Sequence, residues 1–332
     1  MLLILAAAMI LTFFLSFWNG FTDAAYAIST IIGTRTLKPI SAVALATIGN
    51  LIGMMFGSAI AVTIGTGIIS ERVISGEVVI AALAGALIFD VISSWIFSLP
   101  ISETHVLVGG LIGAGLAAGG VEAIKVVEIF YKFIIPMILV PPMSLGIVFM
   151  ITLMIMRTCR NVAAPRANRY FKRLQLFSAL FVSATDGTNA AQKVMGIATV
   201  LLLYYGYLSE FVVLPWVVGV AYLTLSLGTF LGGWRVVKTM ATKITRMRPY
   251  QGFSAETGSS LILGSTALLG LPVSSTHVIS GAIMGAGLAH GAKSVKWANT
   301  RRIAFAWILS IPLPAVLSFA LHRVIALVTW LH

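Results

Sequence analysis

Charged residues are scarce in this sequence. Only 10% of its 332 residues are Asp, Glu, Lys or Arg, whereas a soluble domain carries about 25%. Hydrophobic residues make up 59% of the chain, and the mean hydropathy is +1.01. The apolar segments lack the polar faces at helical spacing that surface helices of a soluble protein need. Apolar runs long enough to cross a bilayer recur from end to end, so the sequence predicts an all-α polytopic membrane protein.

Cysteine is also nearly absent, since Cys159 is the only one. This excludes a disulfide framework and a Cys-based metal site. Residues 1–18 resemble a signal peptide but have no basic residues before the apolar run, so we expect a first span that is retained. The net charge of +12 comes largely from short loops between spans. That distribution favours orientation in a membrane over nucleic-acid binding.

One stretch occurs twice. The motif Pro-x-Ser-x-Thr-His lies within Leu99–His105 and again within Leu271–His277, each time followed by a Gly/Ala-rich run. A proline with hydroxyls and an imidazole inside apolar sequence indicates a broken helix. Two copies predict two half-molecules that face each other across one site. The Gly/Ala runs predict close packing of helices.

The predicted spans follow the same order in both halves of the chain. We expect spans at 1–32, 41–69, 78–97, 100–119 and 133–156, and then at 174–203, 211–231, 253–270, 272–291 and 303–331. Polar clusters interrupt the first span of each half, at 19–23 and 185–189. We therefore divide the chain into a first repeat at 1–156, a basic cytoplasmic linker at 157–173 and a second repeat at 174–332.

Loop charge predicts the orientation. The loops at 35–38, 157–173, 235–248 and 293–302 are basic, and those at 71–77, 121–132 and 204–210 carry little or no net positive charge. Placing the basic loops in the cytoplasm requires each Pro-x-Ser-x-Thr-His segment to return to its own side, or to sit on two short helices. The result is an inverted-topology repeat of about five elements per half, with re-entrant hairpins at the midplane and both termini outside the cytoplasmic membrane.

The two helix breaks are candidate anion sites. Free backbone N–H groups and the helix dipole attract anions at a helix start, and hydroxyls add donors without adding charge. Two such starts could enclose a tetrahedral oxyanion, or the hydroxyls could merely cap the helices. The hydroxyl residues concerned are Ser102, Thr104, Ser274, Ser275 and Thr276.

His105 and His277 end the two motifs. Each could donate a hydrogen bond to an anion, or it could hold the break in shape. A zinc site would need more ligands than the chain gathers in one place.

Two aspartates lie deep in apolar sequence, Asp23 and Asp186. A carboxylate in a membrane span is expensive and indicates function, here binding a cation such as Na⁺ or carrying a proton. Thr22 and Asn189 are neutral oxygen donors at matched places. Lys193 follows one turn later and could pair with Asp186 or meet the charge of a substrate.

Glu256 opens the span before the second break, where it fits simple helix capping; cation coupling is the other interpretation. Glu103 occupies the position that is Ser275 in the second motif, so the repeat itself does not require a carboxylate there.

These residues together resemble the inorganic phosphate transporter family of cation-coupled phosphate symporters. Residues 19–27 are similar to its first signature, residues 187–196 to its second, and Pro-x-Ser-x-Thr-His is shared by both halves. The resemblance implies phosphate bound near the midplane, Na⁺ or H⁺ as coupling ion, no other cofactor, and a homodimer.

The chain departs from the family pattern at several positions. Thr22 and Tyr26 replace the usual signature residues, and Ala190 stands where the second signature has Asp. Asp186 lies one helical turn earlier on the same face. We therefore hypothesise that Asp23 and Asp186 form the cation-coupling pair.

Three other functions remain open from the sequence. The substrate could be another oxyanion such as sulfate, because donors at helix starts suit any tetrahedral oxyanion. A passive anion channel has little use for buried carboxylates. An intramembrane enzyme would need different residues in different roles, which a two-fold repeat does not favour.

Overall fold

The computed structural model describes residues 1–232, 237 and 247–330, with side chains for all of these except 23–27 and 329–330. The helices of the described residues are α1 Leu2–Gly33, α2 Pro39–Ile52, α3 Ala59–Thr66, α4 Gly76–Asp90, α5 Glu103–Gly119, α6 Val126–Ile129, α7 Ile135–Thr158, α8 Ala164–Tyr204, α9 Pro215–Leu231, α10 Pro249–Leu268, α11 Ser275–Leu288, α12 Trp297–Leu309 and α13 Pro312–Trp330. Within this part of the chain, five helical stretches are long and apolar enough to cross a membrane. The predicted all-α polytopic architecture is confirmed.

The first helix of each half is continuous. The helix α1 has 32 residues and α8 has 41, and both run through their polar clusters without a break. The predicted interruptions at 19–23 and 185–189 are therefore wrong as breaks in the backbone. Inside a membrane the backbone hydrogen bonds must stay satisfied, and a helix satisfies them while side chains supply the polarity.

The two predicted re-entrant segments are present. In the first hairpin, α4 and its π-helical extension Val91–Ile96 lead to a break before α5; in the second hairpin, α10 leads to a break before α11. Both breaks contain the motif proline, which suits the start of a helix and not its interior.

Both hairpins return to the side from which they started. In the first, the chain before α4 pairs with the chain after α5, with Ser70 N donating to Ala123 O at 2.8 Å. In the second, Gln251 Nε2 at the start of α10 donates to Ala286 O near the end of α11, also at 2.8 Å. The return on which the predicted topology depends is confirmed.

The long helices α1 and α8 run antiparallel. Gly76, at the open end of the first hairpin, packs against Ile4 near the start of α1 and Tyr205 just after α8. At the other ends of these helices, Thr34 Oγ1 donates to Gln175 Oε1 at 2.8 Å. The less basic loops thus gather at one end of the molecule, and the basic loops around residues 35 and 172 lie at the other, as their charge predicted. Most of the predicted basic loop 235–248 lies outside the described residues.

Glycines let each hairpin pack closely on the last long helix of the opposite half. A Cβ on Gly109 of α5 would lie 2.3 Å from Ile311 O beside α13, and one on Gly281 of α11 would lie 2.5 Å from Pro141 O of α7. Such distances exclude any side chain without a backbone shift. The predicted packing role of the Gly/Ala runs is confirmed.

Some predicted span boundaries differ in the structure. The span 41–69 is divided between α2 and α3, and the chain turns at Gly57, whose φ of +83° favours glycine. The span 303–331 is divided between α12 and α13 by a turn before Pro312. The helix α8 starts at Ala164, inside the predicted linker.

Candidate functional site

The tips of the two hairpins touch each other. Thr104 Oγ1 of the first tip donates to the carbonyl of Val273 at 3.1 Å, and Thr276 Oγ1 of the second donates to the carbonyl of Ile101 at 2.7 Å. Ile101 and Val273 hold the same place in the two copies of the motif. The two tips therefore exchange equivalent hydrogen bonds.

The motif serines cap the helices that follow them. Ser102 Oγ accepts from the backbone N–H of His105 at 3.3 Å, and Ser274 Oγ accepts from that of His277 at 3.4 Å. An accepting hydroxyl keeps its own proton for donation. Capping thus occurs at both serines without removing their capacity to donate to an anion.

The helix α8 lies against the second tip. Asn189 Nδ2 donates to Val273 O at 2.8 Å and to Ser275 Oγ at 3.1 Å. One turn earlier on α8, the carboxylate of Asp186 lies near the hydroxyl of Ser275. Asp186 Oδ1 and Asn189 Oδ1 are buried and have no hydrogen-bond partner among the described residues.

Lys193 directs its charge to the first tip. Its side chain is 1% exposed, and Nζ donates to Thr104 Oγ1 at 3.3 Å. Among residues with described side chains, the ion pair found is Lys132–Glu128 on the surface, so Lys193 and Asp186 do not form one. Of the two interpretations of Lys193, this arrangement supports contact with the charge of a substrate.

The helix α1 lies against the first tip in the same way. Thr22 Oγ1 donates to Glu103 Oε1. With its side-chain amide oriented so that donors meet acceptors, Asn19 Nδ2 donates to Glu103 Oε2 at 3.0 Å and to Leu15 O at 3.1 Å. The predicted site residue Thr22 is therefore at the tip, whereas the side chain of Asp23 lies outside the described residues.

Sequence reasoning missed Asn19 and Glu103 as parts of this site. One signal was available: Asn19 precedes Gly20 just as Asp186 precedes Gly187. Aligning the halves on those glycines would have matched the two polar residues.

The two motif histidines pack together behind the tips. The ring centroids of His105 and His277 are 4.7 Å apart, and His277 lies on Trp307 at 3.8 Å. Trp307 Nε1 in turn donates to the carbonyl of Pro100 at 3.2 Å. This packing supports the interpretation that the histidines hold the breaks in shape.

Glu256 lies in a separate hydrogen-bond network. Its carboxylate accepts from Thr30 at 2.6 Å, from Ser178 at 2.5 Å and from Gln175 at 2.9 Å. The helix α10 starts at Pro249, seven positions earlier, so capping by Glu256 is wrong. These donors belong to α1 and α8, and the network therefore ties the second hairpin to both long helices.

The centre combines features that suit an anion and a cation. Hydroxyls, helix starts and one ammonium group supply donors for an oxyanion. Carboxylate, amide and hydroxyl oxygens from α1, α8 and the tips supply ligands for a hard cation. Two hairpins that meet between antiparallel helices, with such groups at their tips, characterise a membrane transport protein.

The chain belongs to the phosphate transporter family, whose model matches residues 19–168 and 156–318. Similar proteins are described as probable low-affinity inorganic phosphate transporters. The one from Rhizobium meliloti (strain 1021) is 41% identical over 92% of this chain and 91% of its own length, and the one from Bacillus subtilis (strain 168) is 37% identical over 91% of both.

A solved structure described as the sodium-dependent phosphate transporter is similar in fold. It matches with a TM-score of 0.81 at 25% identity, over 98% of this chain and 99% of that chain. The family predicted from the signature residues is thus confirmed, including for a chain that lacks the second signature aspartate.

Proposed function

We propose that this protein is a symporter that carries inorganic phosphate across the cytoplasmic membrane together with Na⁺. The observation that supports it best is the pair of hairpin tips, which bring anion donors and carboxylates to one buried centre. The family and the sodium-dependent structural neighbour support phosphate as substrate and Na⁺ as coupling ion.

Phosphate would bind between the tips. The hydroxyls of Thr104 and Thr276 donate to backbone carbonyls of the opposite tip, and phosphate oxygens can replace those carbonyls as acceptors. Ser102 and Ser274 retain donor protons, and Lys193 adds a positive charge. Exchange of tip-to-tip bonds for tip-to-phosphate bonds would couple binding to a change in how the hairpins contact each other.

The coupling cation would bind beside the phosphate. Asp186 Oδ1 and Asn189 Oδ1 are buried oxygens on one face of α8 and lack partners among the described residues. With Ser275 they form an oxygen-rich set suited to Na⁺. Asp23 and Glu256 stay predictions as coupling residues, and the network of Glu256 supports a positioning role for it.

A passive anion channel is the weaker alternative, because buried carboxylates repel the permeating ion and cost energy in a membrane. Phosphate is favoured over sulfate because hydrogen phosphate can donate a hydrogen bond to a carboxylate such as Asp186, and sulfate cannot. Both termini outside the cytoplasm, an inverted repeat of two halves and a homodimer remain part of the proposal.

The test is uptake of radiolabelled phosphate into proteoliposomes under an inward Na⁺ gradient, an inward proton gradient, or neither, with excess sulfate as competitor. We expect Na⁺-driven accumulation above equilibrium that sulfate does not suppress. Equilibration without accumulation would indicate a channel. Accumulation driven only by an inward proton gradient would indicate that H⁺, and not Na⁺, is the coupling ion. Suppression of uptake by sulfate would indicate that sulfate competes as a substrate.

A further inference from the structure

A groove with a volume of about 460 Å³ lies on the surface of the molecule between α8 and α10. We call it the α8–α10 groove. Phe177 and Phe181 of α8 and Leu261 of α10 form its rim and are 71%, 61% and 58% exposed. The two helices converge at its inner end, where a Cβ on Gly264 would lie 3.4 Å from Thr185 Cγ2. The groove is therefore open at the side and closed at the end near Thr185.

The groove lies at the depth of lipid acyl chains. Asp186 is beside the second tip, which we place at the midplane of the membrane. Phe177 precedes Asp186 by nine positions and Arg173 precedes it by thirteen, which is about 14 and 20 Å along a helix. Half of the hydrocarbon core is about 15 Å thick, and the headgroup region extends to about 22 Å from the midplane. The groove thus occupies the acyl-chain region at the basic end, and Arg173 lies at the level of the headgroups.

Most hydroxyl groups that line the groove are already engaged. Ser260 and Ser265 donate to backbone carbonyls of their own helix, at 2.8 and 2.6 Å. On α8, Thr185 donates to a carbonyl of its own helix at 3.1 Å, and Ser178 donates to Glu256. With these protons engaged and phenylalanines in the walls, the groove suits an apolar chain and not a polar solute such as phosphate.

Two arginines continue the same face of α8 towards the basic end. Arg169, Arg173, Phe177 and Phe181 follow one another at intervals of four residues, which places them on one stripe of the helix. Both arginines are exposed, and neither forms an ion pair with a carboxylate among residues with described side chains. An arginine side chain binds phosphate oxygens through two parallel hydrogen bonds. The stripe therefore joins a phosphate-binding end to an apolar groove.

We propose that the α8–α10 groove binds an anionic phospholipid from the leaflet at the basic end. One acyl chain lies in the groove, and the headgroup phosphate lies at Arg173 and Arg169. Charge favours this occupant over a second copy of the chain, which would bring a second set of the same arginines to this face. The lipid would fill the space between α8 and the second hairpin. Neither phosphate transport nor Na⁺ coupling enters the argument, so the proposal does not depend on the proposed function.

The experiment is native mass spectrometry of the purified, delipidated protein in detergent. It measures the apparent Kd of the first bound phosphatidylglycerol, and that of phosphatidylcholine with the same acyl chains. Two variants are compared with the wild type: R169Q/R173Q removes the charges at the headgroup, and Ser260→Phe fills the groove with a ring.

Each variant has a matched control. Arg157→Gln removes an exposed charge of the same basic linker, but on α7. Thr224→Phe introduces the same ring on α9, at a half-buried hydroxyl that also bonds its own helix. Both controls should bind the two lipids as the wild type does.

For the wild type we expect phosphatidylglycerol to bind about tenfold more tightly than phosphatidylcholine, because two arginines attract the anionic headgroup. R169Q/R173Q should lose this preference, with the affinity for phosphatidylglycerol alone falling about tenfold. Ser260→Phe should weaken the binding of both lipids at least about tenfold, because the acyl chain loses its place. Ser260→Leu, with a smaller side chain, covers the case in which the phenylalanine variant does not fold.

Equal affinities of the wild type for the two lipids, or an unchanged preference in R169Q/R173Q, would overturn the headgroup site at the arginines. Unchanged affinities in Ser260→Phe and Ser260→Leu would overturn the groove as the place of the acyl chain. If Ser260→Phe instead changes the ratio of monomer to dimer at unchanged lipid affinity, the groove is a contact between copies of the chain, which also overturns the proposal.

Discussion

Two buried acids on opposite parts of the core, Glu256 and Asp186, differ in how their oxygens are satisfied. Glu256 accepts hydrogen bonds from Thr30, Ser178 and Gln175, which come from the two long helices. Asp186 has one carboxylate oxygen without a partner among the described residues. Both lie in sequence of similar polarity, so only their neighbours distinguish them.

We expect this difference to separate a positioning acid, Glu256, from a binding acid, Asp186. A carboxylate surrounded by fixed donors stabilises the structure, and removing its charge leaves those donors unpaired. A carboxylate with a free buried oxygen can gain a ligand without losing an existing contact. Substitution of Asp186 should therefore mainly reduce transport, and substitution of Glu256 should mainly reduce stability.

The largest effect on transport is expected at Asp186. Asp186→Asn keeps the size of the side chain and removes its charge, so we expect Na⁺-dependent phosphate uptake to fall by about ten- to a hundredfold. The melting temperature in detergent should change little, because few hydrogen bonds are lost. Uptake and thermal unfolding of the same preparation test this.

Glu77→Gln, a change in the loop-side first turn of α4, serves as control and should leave uptake unchanged. Wild-type uptake in Asp186→Asn would contradict the assignment of Asp186 to cation coupling.

At Glu256 we expect a substitution to lower the stability more than it lowers the phosphate uptake. Glu256→Gln keeps one oxygen for Thr30 and Gln175 but places an NH₂ group against Ser178 and removes the charge from all three hydrogen bonds, so the free energy of unfolding should fall by about 1 to 3 kcal/mol. The matched control is Ser265→Ala on the same helix, whose hydroxyl bonds only its own helix at Leu261. Thermal unfolding measures both, and equal melting temperatures would show that the network does not stabilise the hairpin.

Glycine substitutions test the packing that holds the second hairpin in place. Gly281→Ala should lower the stability by about 1 to 3 kcal/mol, because its Cβ would meet the backbone of α7. Gly146→Ala on α7 has open space around its Cβ and should raise stability by up to about 1 kcal/mol. Equal effects of the two substitutions would contradict the close approach of these helices.

The smallest effect is expected at the open end of the second hairpin. His290 Nε2 lies 2.6 Å from the hydroxyl of Tyr250, and partial burial together with Arg248 lowers the pKa of His290 below its usual range. Because the unfolded chain binds this proton more readily, the stabilising contribution is present above about pH 6.5 and decreases below it.

Thermal unfolding at about pH 7.5 and about pH 5.5 measures this contribution. His290→Gln should reduce the difference between the two melting temperatures slightly, and Lys293→Gln should not. If the melting temperature of His290→Gln differs between the two pH values as much as that of the wild type does, the pH dependence arises from other groups.

The repeated motif and the loop charges were sufficient to predict the hairpins and the end of the molecule at which the loops around residues 35, 71, 123, 172 and 205 lie. The reason is local: proline stops a helix wherever it occurs, and a charged loop cannot remain in the bilayer. The position of Thr104 and Thr276 at the tips could be predicted for the same reason, because their distance from the motif proline fixes their place in the first helical turn.

Polarity alone did not predict whether a helix breaks. The polar clusters of α1 and α8 looked like interruptions, yet both helices continue through them. Polar side chains in a span can be satisfied by other elements, and the sequence does not show which ones. For the same reason Glu256 looked like a cap.

The sequence by itself determined the class of the protein, its family and the two tips, because composition and motif spacing act within a few residues. The tertiary structure alone decided which oxygens meet at those tips. The comparison of the two motifs indicated no need for a carboxylate at Glu103, because Ser275 occupies that position in the second motif. The structure shows that Asn19 faces Glu103 and that Asp186 faces Ser275. The position of a charge in a buried contact depends on both partners, and these partners are far apart in the chain.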